Sequence, residues 1–158
     1  MEERCPVCAE TGNDDRLIFR DSSAAVYHMG NVALPGYLVL APLRHVTLWK
    51  DLEGSESASL ERFRALAETL LLQKEQIRKI YFLSFGELCP HIHIHCFPRT
   101  ESMAGDISMA SVLDGPRVFD HYRTALKTDT SPPEVSSMIE TLRREFRDHL
   151  RTRKSPGR

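Results

Sequence analysis

The sequence predicts a protein of mixed helix and sheet, on three observations. Short β-like runs separated by turn residues come first. A long stretch of helical period follows. A second β-like stretch then leads to an amphipathic segment near the end. The first runs are Leu17–Arg20, Ala24–His28 and residues 37–41, divided by Asp21-Ser22-Ser23 and by Asn31 with Pro35-Gly36. Turns that short between strands predict an antiparallel meander, and Pro42 is expected to stop the third run. Before them, Cys5-Pro6-Val7-Cys8 and the polar stretch 10–15 read as a loop.

The long helix is expected over residues 55–78. Leu60, Phe63, Leu66, Ala67, Leu70, Leu71 and Ile77 fall on one stripe, with Ser55 or Ser57 as cap. Residues 79–85 turn β-like through Ile80, Tyr81 and Phe82. A run of alternating histidines follows Gly86 and ends at Pro98-Arg99. Residues 100–115 carry no period and read as a loop; a short helix is expected over 116–127. Ser131-Pro132-Pro133-Glu134 combines a capping box with proline in the first turn, so a last helix starts there. Val135, Met138, Ile139, Leu142, Phe146 and Leu150 keep one of its faces apolar, and residues 151–158 form a basic, solvated tail. No internal repeat or linker interrupts the chain, so residues 1–130 are expected to form the catalytic domain. Residues 131–158 add a helix and tail to that same domain.

The bulk numbers exclude several classes. The chain has 158 residues, 41% hydrophobic and 27% charged, an ordinary globular composition. Its formal net charge of -1 gives no global attraction to nucleic acid or anionic membrane. No apolar stretch approaches the ~18–20 residues that cross a bilayer. Met1-Glu2-Glu3-Arg4-Cys5 is acidic and polar where a secretory leader is basic and then apolar, so a cytoplasmic location is expected. In that compartment Cys5, Cys8, Cys89 and Cys96 are read as metal ligands or packed thiols rather than disulfides.

Chemistry concentrates in His91-Ile92-His93-Ile94-His95. On a strand, alternate residues share a face, so the three histidines would line one side while Ile92, Ile94 and Cys96 bury on the other. A solvent-facing strand with polar decoration is the bland reading, and three strictly alternating histidines argue against it. A single metal held by all three fails on distance. At ~3.3 Å per residue His91 and His95 stand about 13 Å apart, while zinc needs each nitrogen at ~2.0–2.1 Å. The three must divide their labour. A neutral imidazole is a competent nucleophile toward phosphorus near pH 7, and a neighbouring one can protonate the departing group.

The run Pro90 to Arg99 resembles the alternating His signature of the histidine-triad superfamily, with the Pro-Arg that often follows it. Leu34-Pro35-Gly36-Tyr37-Leu38-Val39-Leu40-Ala41-Pro42-Leu43-Arg44-His45-Val46 is similar to the same family's Pro-Gly-His segment. The resemblance as a whole covers roughly residues 5–99. The resemblance implies an α+β fold, an antiparallel five-stranded sheet packed with a long helix, usually paired into a homodimer. It also implies nucleotide chemistry through a nucleotidyl-histidine intermediate, on dinucleoside polyphosphates, phosphoramidates or similar substrates. His93 inherits the role of nucleophile and His95 that of contact to phosphate and leaving group, while Asn31 is a candidate for ribose contact.

Two positions depart from the pattern. Tyr37 replaces the histidine of Pro-Gly-His, and Glu87 stands where glutamine or asparagine commonly faces the phosphates. A carboxylate there repels phosphate unless protonated or turned away. Cys5 and Cys8 have metal-knuckle spacing, against which stands the reading of two unligated thiols. A redox Cys-x-x-C wants a preceding strand, for which the five leading residues leave no room. A subset of the superfamily, with the related uridylyltransferases, carries zinc on such a pair plus two histidines. The matching positions are Cys5, Cys8, His45 and His91. Four protein ligands would make that zinc structural.

The expected function is therefore a hydrolase releasing a nucleoside monophosphate. A nucleotidyltransferase that passes the group to phosphate or a sugar phosphate is the alternative, and a non-catalytic nucleotide-binding protein the third reading. No membrane or specific nucleic-acid partner is expected. Cys89 and Cys96 are read as core or near-site packing, and His28, His121 and His149 as isolated.

Overall fold

The computed structural model describes residues 5–106 and 115–152. Five strands form one antiparallel sheet: β1 (Leu17–Arg20), β2 (Ala24–His28), β3 (Leu38–Pro42), β4 (Ile77–Leu83) and β5 (Ile94–Thr100). Their order is β1-β2-β3-β5-β4, so β5 inserts between the meander and β4. The helices are α1 (Pro6–Glu10), α2 (Gly54–Leu72), α3 (Glu101–Asp106), α4 (Gly115–Ala125) and α5 (Pro133–Thr152). The α+β class and five-stranded antiparallel sheet implied by the resemblance are what the chain forms.

Every residue of β2 and β3 is buried, because both faces of the sheet are covered. Alternation sorts them. Ala24, Val26, Leu38, Leu40 and Cys96 face α2 and α5, meeting Leu60, Phe63, Leu71, Leu142 and Phe146. Tyr27, Tyr37, Val39 and Phe97 face the other way, toward α1 and α4. The functional side chains lie on this second face. Gly36, at φ 85°, makes the turn into β3; a Cβ there would stand 2.7 Å from Leu71 Cδ2.

Several expectations need correction. The loop expected before β1 contains α1, started by a proline whose missing N–H costs nothing in the first turn. The long helix ends at Leu72 rather than 78. Ile77 is buried through pairing with Thr100 in the sheet, and a buried residue at helical spacing looks the same from sequence alone. The cap of α2 is Glu53, whose side chain accepts from the Glu56 N–H while the Glu56 carboxylate accepts from the Glu53 N–H at 2.8 Å. β3 runs through Pro42, since only its missing N–H is excluded from pairing. Part of the expected loop at 100–115 is helical as α3; residues 107–114 lie outside the described residues. The helix expected at 116–127 is α4, two residues shorter at its end. Among the described residues, no helix is long and apolar enough to cross a membrane.

Candidate active site and metal centre

The three histidines do not share one strand face. β5 begins only at Ile94, and Ile92 N–H donates at 2.7 Å to the Val46 carbonyl of the loop beyond β3. This pull, after a proline that cannot donate, separates His91 from the others. His91 is wholly buried, its ring centroid 4.7 Å from that of His45. His93 and His95 turn instead to the second face of the sheet, their centroids 4.9 Å apart. The expected burial of Ile92 and Cys96 holds, and Ile94 is half-buried against the α2 side.

Backbone carbonyls settle the proton positions on two rings, because a carbonyl can only accept. His91 Nε2–H donates to the Pro42 carbonyl at 3.2 Å, so its Nδ1 lone pair faces Cys5 and Cys8. His93 Nδ1–H donates to the His91 carbonyl at 2.7 Å, which leaves the Nε2 lone pair free. That is the arrangement a nucleophile and a metal ligand each require.

His91 Nδ1 lies 3.3 Å from Cys8 Sγ and 3.5 Å from Cys5 Sγ, and His45 Nδ1 lies 3.5 Å from Cys8 Sγ. A tetrahedron with zinc–nitrogen and zinc–sulfur bonds of ~2.0–2.3 Å puts its corners roughly 3.3–3.8 Å apart. All four ligand atoms lie within 4.8 Å of one another, so the donor set fits one tetrahedral cation. Arg44 holds the His45 loop in place: its Nε–H and Nη2–H donate to the buried Glu56 carboxylate at 3.0 and 2.7 Å. Burial, then the hydrogen bond and charge of Cys5, pushes Cys8 up to about 11. A bound cation would reverse that preference.

Tyr37, the departure from the family histidine, is fully buried and its hydroxyl lies 2.9 Å from His95 Nδ1. Burial pushes the phenol's pKa up, which keeps its proton in place. A cavity of about 580 Å³ opens beside the pair. His93, His95, Asn31 and Glu87 all line it, so the structure brings together every residue the sequence named for catalysis and substrate. Asn31 is exposed and adopts φ 59°, a conformation asparagine tolerates. Glu87 is exposed as well. The Cys5/Cys8/His45/His91 cluster forms a second centre, joined to the cavity by α1.

Arg123 on α4 lines the same cavity and escaped the sequence reading. Its guanidinium carbon stands 5.6 Å from the Phe119 ring centroid, and its buried Nε has no hydrogen-bond partner among the described residues. Phe119 in turn packs on His95, centroids 5.3 Å apart. A cation on an amphipathic helix looks like a solvated residue until the helix is docked. Among the isolated histidines, His28 is a buried core residue, its ring nitrogens 2.8 and 3.0 Å from the Met29 and Leu34 carbonyls. Cys96 is core, and Cys89 packs near the site, buried with its Sγ 3.5 Å from Cys5 Sγ.

Burial, then the charges of His93 and Arg123, pushes His95 down to about 4. In the unfolded chain it titrates near ~6.5, so protons prefer the unfolded state between these values. The stability His95 contributes is fully present above about pH 6.5 and is lost as pH falls toward about 4. Urea unfolding at pH 7.5 and 4.5 should therefore show roughly 2–3 kcal/mol lost through this group. His95→Gln should flatten the dependence by that amount, and an unchanged slope would remove His95 from the acid response.

No family model and no curated protein matches the sequence. The structure does match solved ones. A Zn-bound histidine triad family protein from Mycobacterium smegmatis aligns with TM-score 0.61 and 14% identity, over 94% of this chain and 96% of that one. The C. elegans NitFhit protein aligns at 0.56 and 16% identity, over 83% of this chain and 27% of its own. A uridylyltransferase aligns at 0.54 and 20%, over 89% of this chain and 45% of its own. This chain thus spans about a quarter of the nematode protein and under half of the transferase. Its fold is the histidine-triad fold.

Proposed function

We propose that the protein is a histidine-triad nucleotide hydrolase. The observation that carries this reading is the free Nε2 of His93, held in that state by the His91 carbonyl and opening on a cavity shared with His95. His93 Nε2 attacks the α-phosphorus of a nucleotide, forming a P–N bond as the bond to the leaving group breaks. Tyr37 donates to His95 Nδ1, which places the His95 proton on Nε2, where it hydrogen-bonds to the departing oxygen or nitrogen and stabilises its developing charge, the proton that atom finally takes coming from solvent water. Water then cleaves the nucleotidyl-histidine, giving the nucleoside monophosphate and free His93. Arg123 supplies cationic donors for the phosphate oxygens, offsetting the carboxylate of Glu87 at the mouth. Asn31 is assigned to the ribose.

Cys5, Cys8, His45 and His91 would hold a structural zinc, which supplies no open coordination position and would fix the chain at His91, beside His93. We take α5 as part of the same catalytic unit, because Val135, Leu142 and Phe146 share the core of α2. β4 forms a sheet edge, and we read it as the face toward a second copy. The likeness to a uridylyltransferase supports a second reading, in which a phosphate or sugar phosphate replaces water as acceptor.

A panel of dinucleoside polyphosphates, nucleoside phosphoramidates and nucleotide sugars, with and without phosphate acceptors, tests the proposal by product chromatography. Release of a nucleoside monophosphate without acceptor is expected. Arg123→Met should lower kcat/KM by roughly 10²-fold, the scale of a lost charged donor at a reacting phosphate. Turnover on none of the three classes would sink the enzymatic reading.

A further inference from the structure

We propose that Glu10 and Arg16 read the base of the bound nucleotide and select guanine. The proposal rests on the nucleotide reading above and adds the base to it. Val39 pairs with His95 on one side and with Tyr27 on the other, and Tyr27 pairs with Leu17. The row His95, Val39, Tyr27 therefore crosses the sheet on its cavity face. Adjacent strands lie ~4.8 Å apart, so Tyr27 stands about 10 Å from His95 and β1 one strand further. With phosphorus at His93 and His95, ribose and base extend over Val39 and Tyr27, and the far edge of a purine arrives at the β1 end.

That end carries a built polar pair. Arg16 Nη1–H donates to Glu10 Oε1 at 2.9 Å, and both residues line the cavity. Their side chains are 30% and 28% exposed, too enclosed for an ordinary surface ion pair. The chain also makes room for the guanidinium. A Cβ on Gly30 would stand 2.1 Å from Arg16 Nη1 and 2.8 Å from its Cζ. Gly30 does not have a positive φ, so its glycine serves space rather than backbone conformation. A tether between α1 and β1 would need only the one hydrogen bond. The pair has more to offer, since guanidinium carries five N–H donors and each carboxylate oxygen two lone pairs. The second carboxylate oxygen meets only a long 3.4 Å contact from Asn13 Nδ2.

A carboxylate beside a guanidinium presents two acceptors and then a donor. Guanine presents the complement along one edge: N2–H, N1–H, then the O6 acceptor. Adenine places a single donor between acceptors, and uracil alternates acceptor, donor, acceptor. Cytosine carries one donor and two acceptors, on a single ring that stops short of β1. Size, reach and donor order thus converge on guanine.

Calorimetric titration of the wild-type protein with guanosine, adenosine, cytidine and uridine monophosphates tests this without relying on turnover. Guanosine monophosphate should bind roughly 10–100-fold more tightly than the others, the discrimination a bidentate base contact supplies. Glu10→Gln and, independently, Arg16→Lys should bring the four within about threefold, while zinc content stays at the wild-type value and the cation, still bound, keeps α1 in place. Equal binding of the four, or preference for another base, overturns the guanine assignment and leaves the nucleotide reading standing. A preference for guanosine that survives both substitutions overturns the assignment to Glu10 and Arg16. Binding of none at millimolar concentration overturns both.

Discussion

Replacing His93 by asparagine is expected to abolish turnover, by roughly 10⁴–10⁶-fold in kcat, the range seen when a covalent nucleophile is removed. Asparagine keeps size and hydrogen-bonding capacity but offers no basic lone pair, so nucleotide binding should persist. The neighbours should fail differently. His95→Asn removes the Nε2–H that hydrogen-bonds to the leaving group and should cost roughly 10²–10³-fold. Tyr37→Phe leaves the His95 ring without its 2.9 Å partner and should cost less, through misplacement of the proton. Quenching labelled substrate in base, which spares phosphorus–nitrogen bonds to histidine, should leave label on the peptide holding His93. An unlabelled peptide together with a His93→Asn protein that still turns over would make water the direct attacker.

The second large effect concerns metal. Freshly prepared, chelator-free protein should carry one zinc per chain by elemental analysis. Cys8→Ser or exhaustive chelation should remove it and lower the melting temperature by 10 °C or more. A loss of ~3–5 kcal/mol corresponds to about that shift in a chain of this size. The location explains the expected size of the effect. Without the cation, α1 is a five-residue helix attached mainly through Val7 and the Glu10–Arg16 pair. Cys89→Ser separates two ligand sets, since Cys89 Sγ is only 3.5 Å from Cys5 Sγ. Full zinc content in that variant supports the Cys5/Cys8/His45/His91 set. Loss of zinc there, with retention in His45→Ala, would exchange Cys89 for His45.

Much of the fold was legible because its strands and helices are locally consistent. Leu17–Arg20 and Ala24–His28 were read to the residue, since turn chemistry bounds them on both sides. Boundaries slipped where a tertiary partner decided them. Ile77 fits a helical stripe as well as a strand until Thr100 pairs with it. α1 was invisible because five residues carry no measurable period. The departure at Tyr37 was legible as a residue, but its use was not: only packing brings the hydroxyl of β3's entry to His95, 58 positions away.

The same division runs through the candidate site. Residue order alone determined that His93 and His95 stand near one another, two positions apart; that His91 leaves them for His45 was decided by the fold. Residue order also determined the metal-type spacing of Cys5 and Cys8. Which way each imidazole turns was decided by the fold, through two carbonyls: Pro42, 49 residues from His91, and that of His91 itself, which faces His93 only because the chain breaks from strand geometry there. Arg123 and the Glu10–Arg16 pair belong to the tertiary structure for the same reason. A charged side chain on a helix or strand end has no period to betray it, and its environment is set by elements far away in sequence. Local pattern fixes backbone conformation through short-range sterics and burial. The dielectric and the partners that turn a side chain into a reagent come from the folded whole.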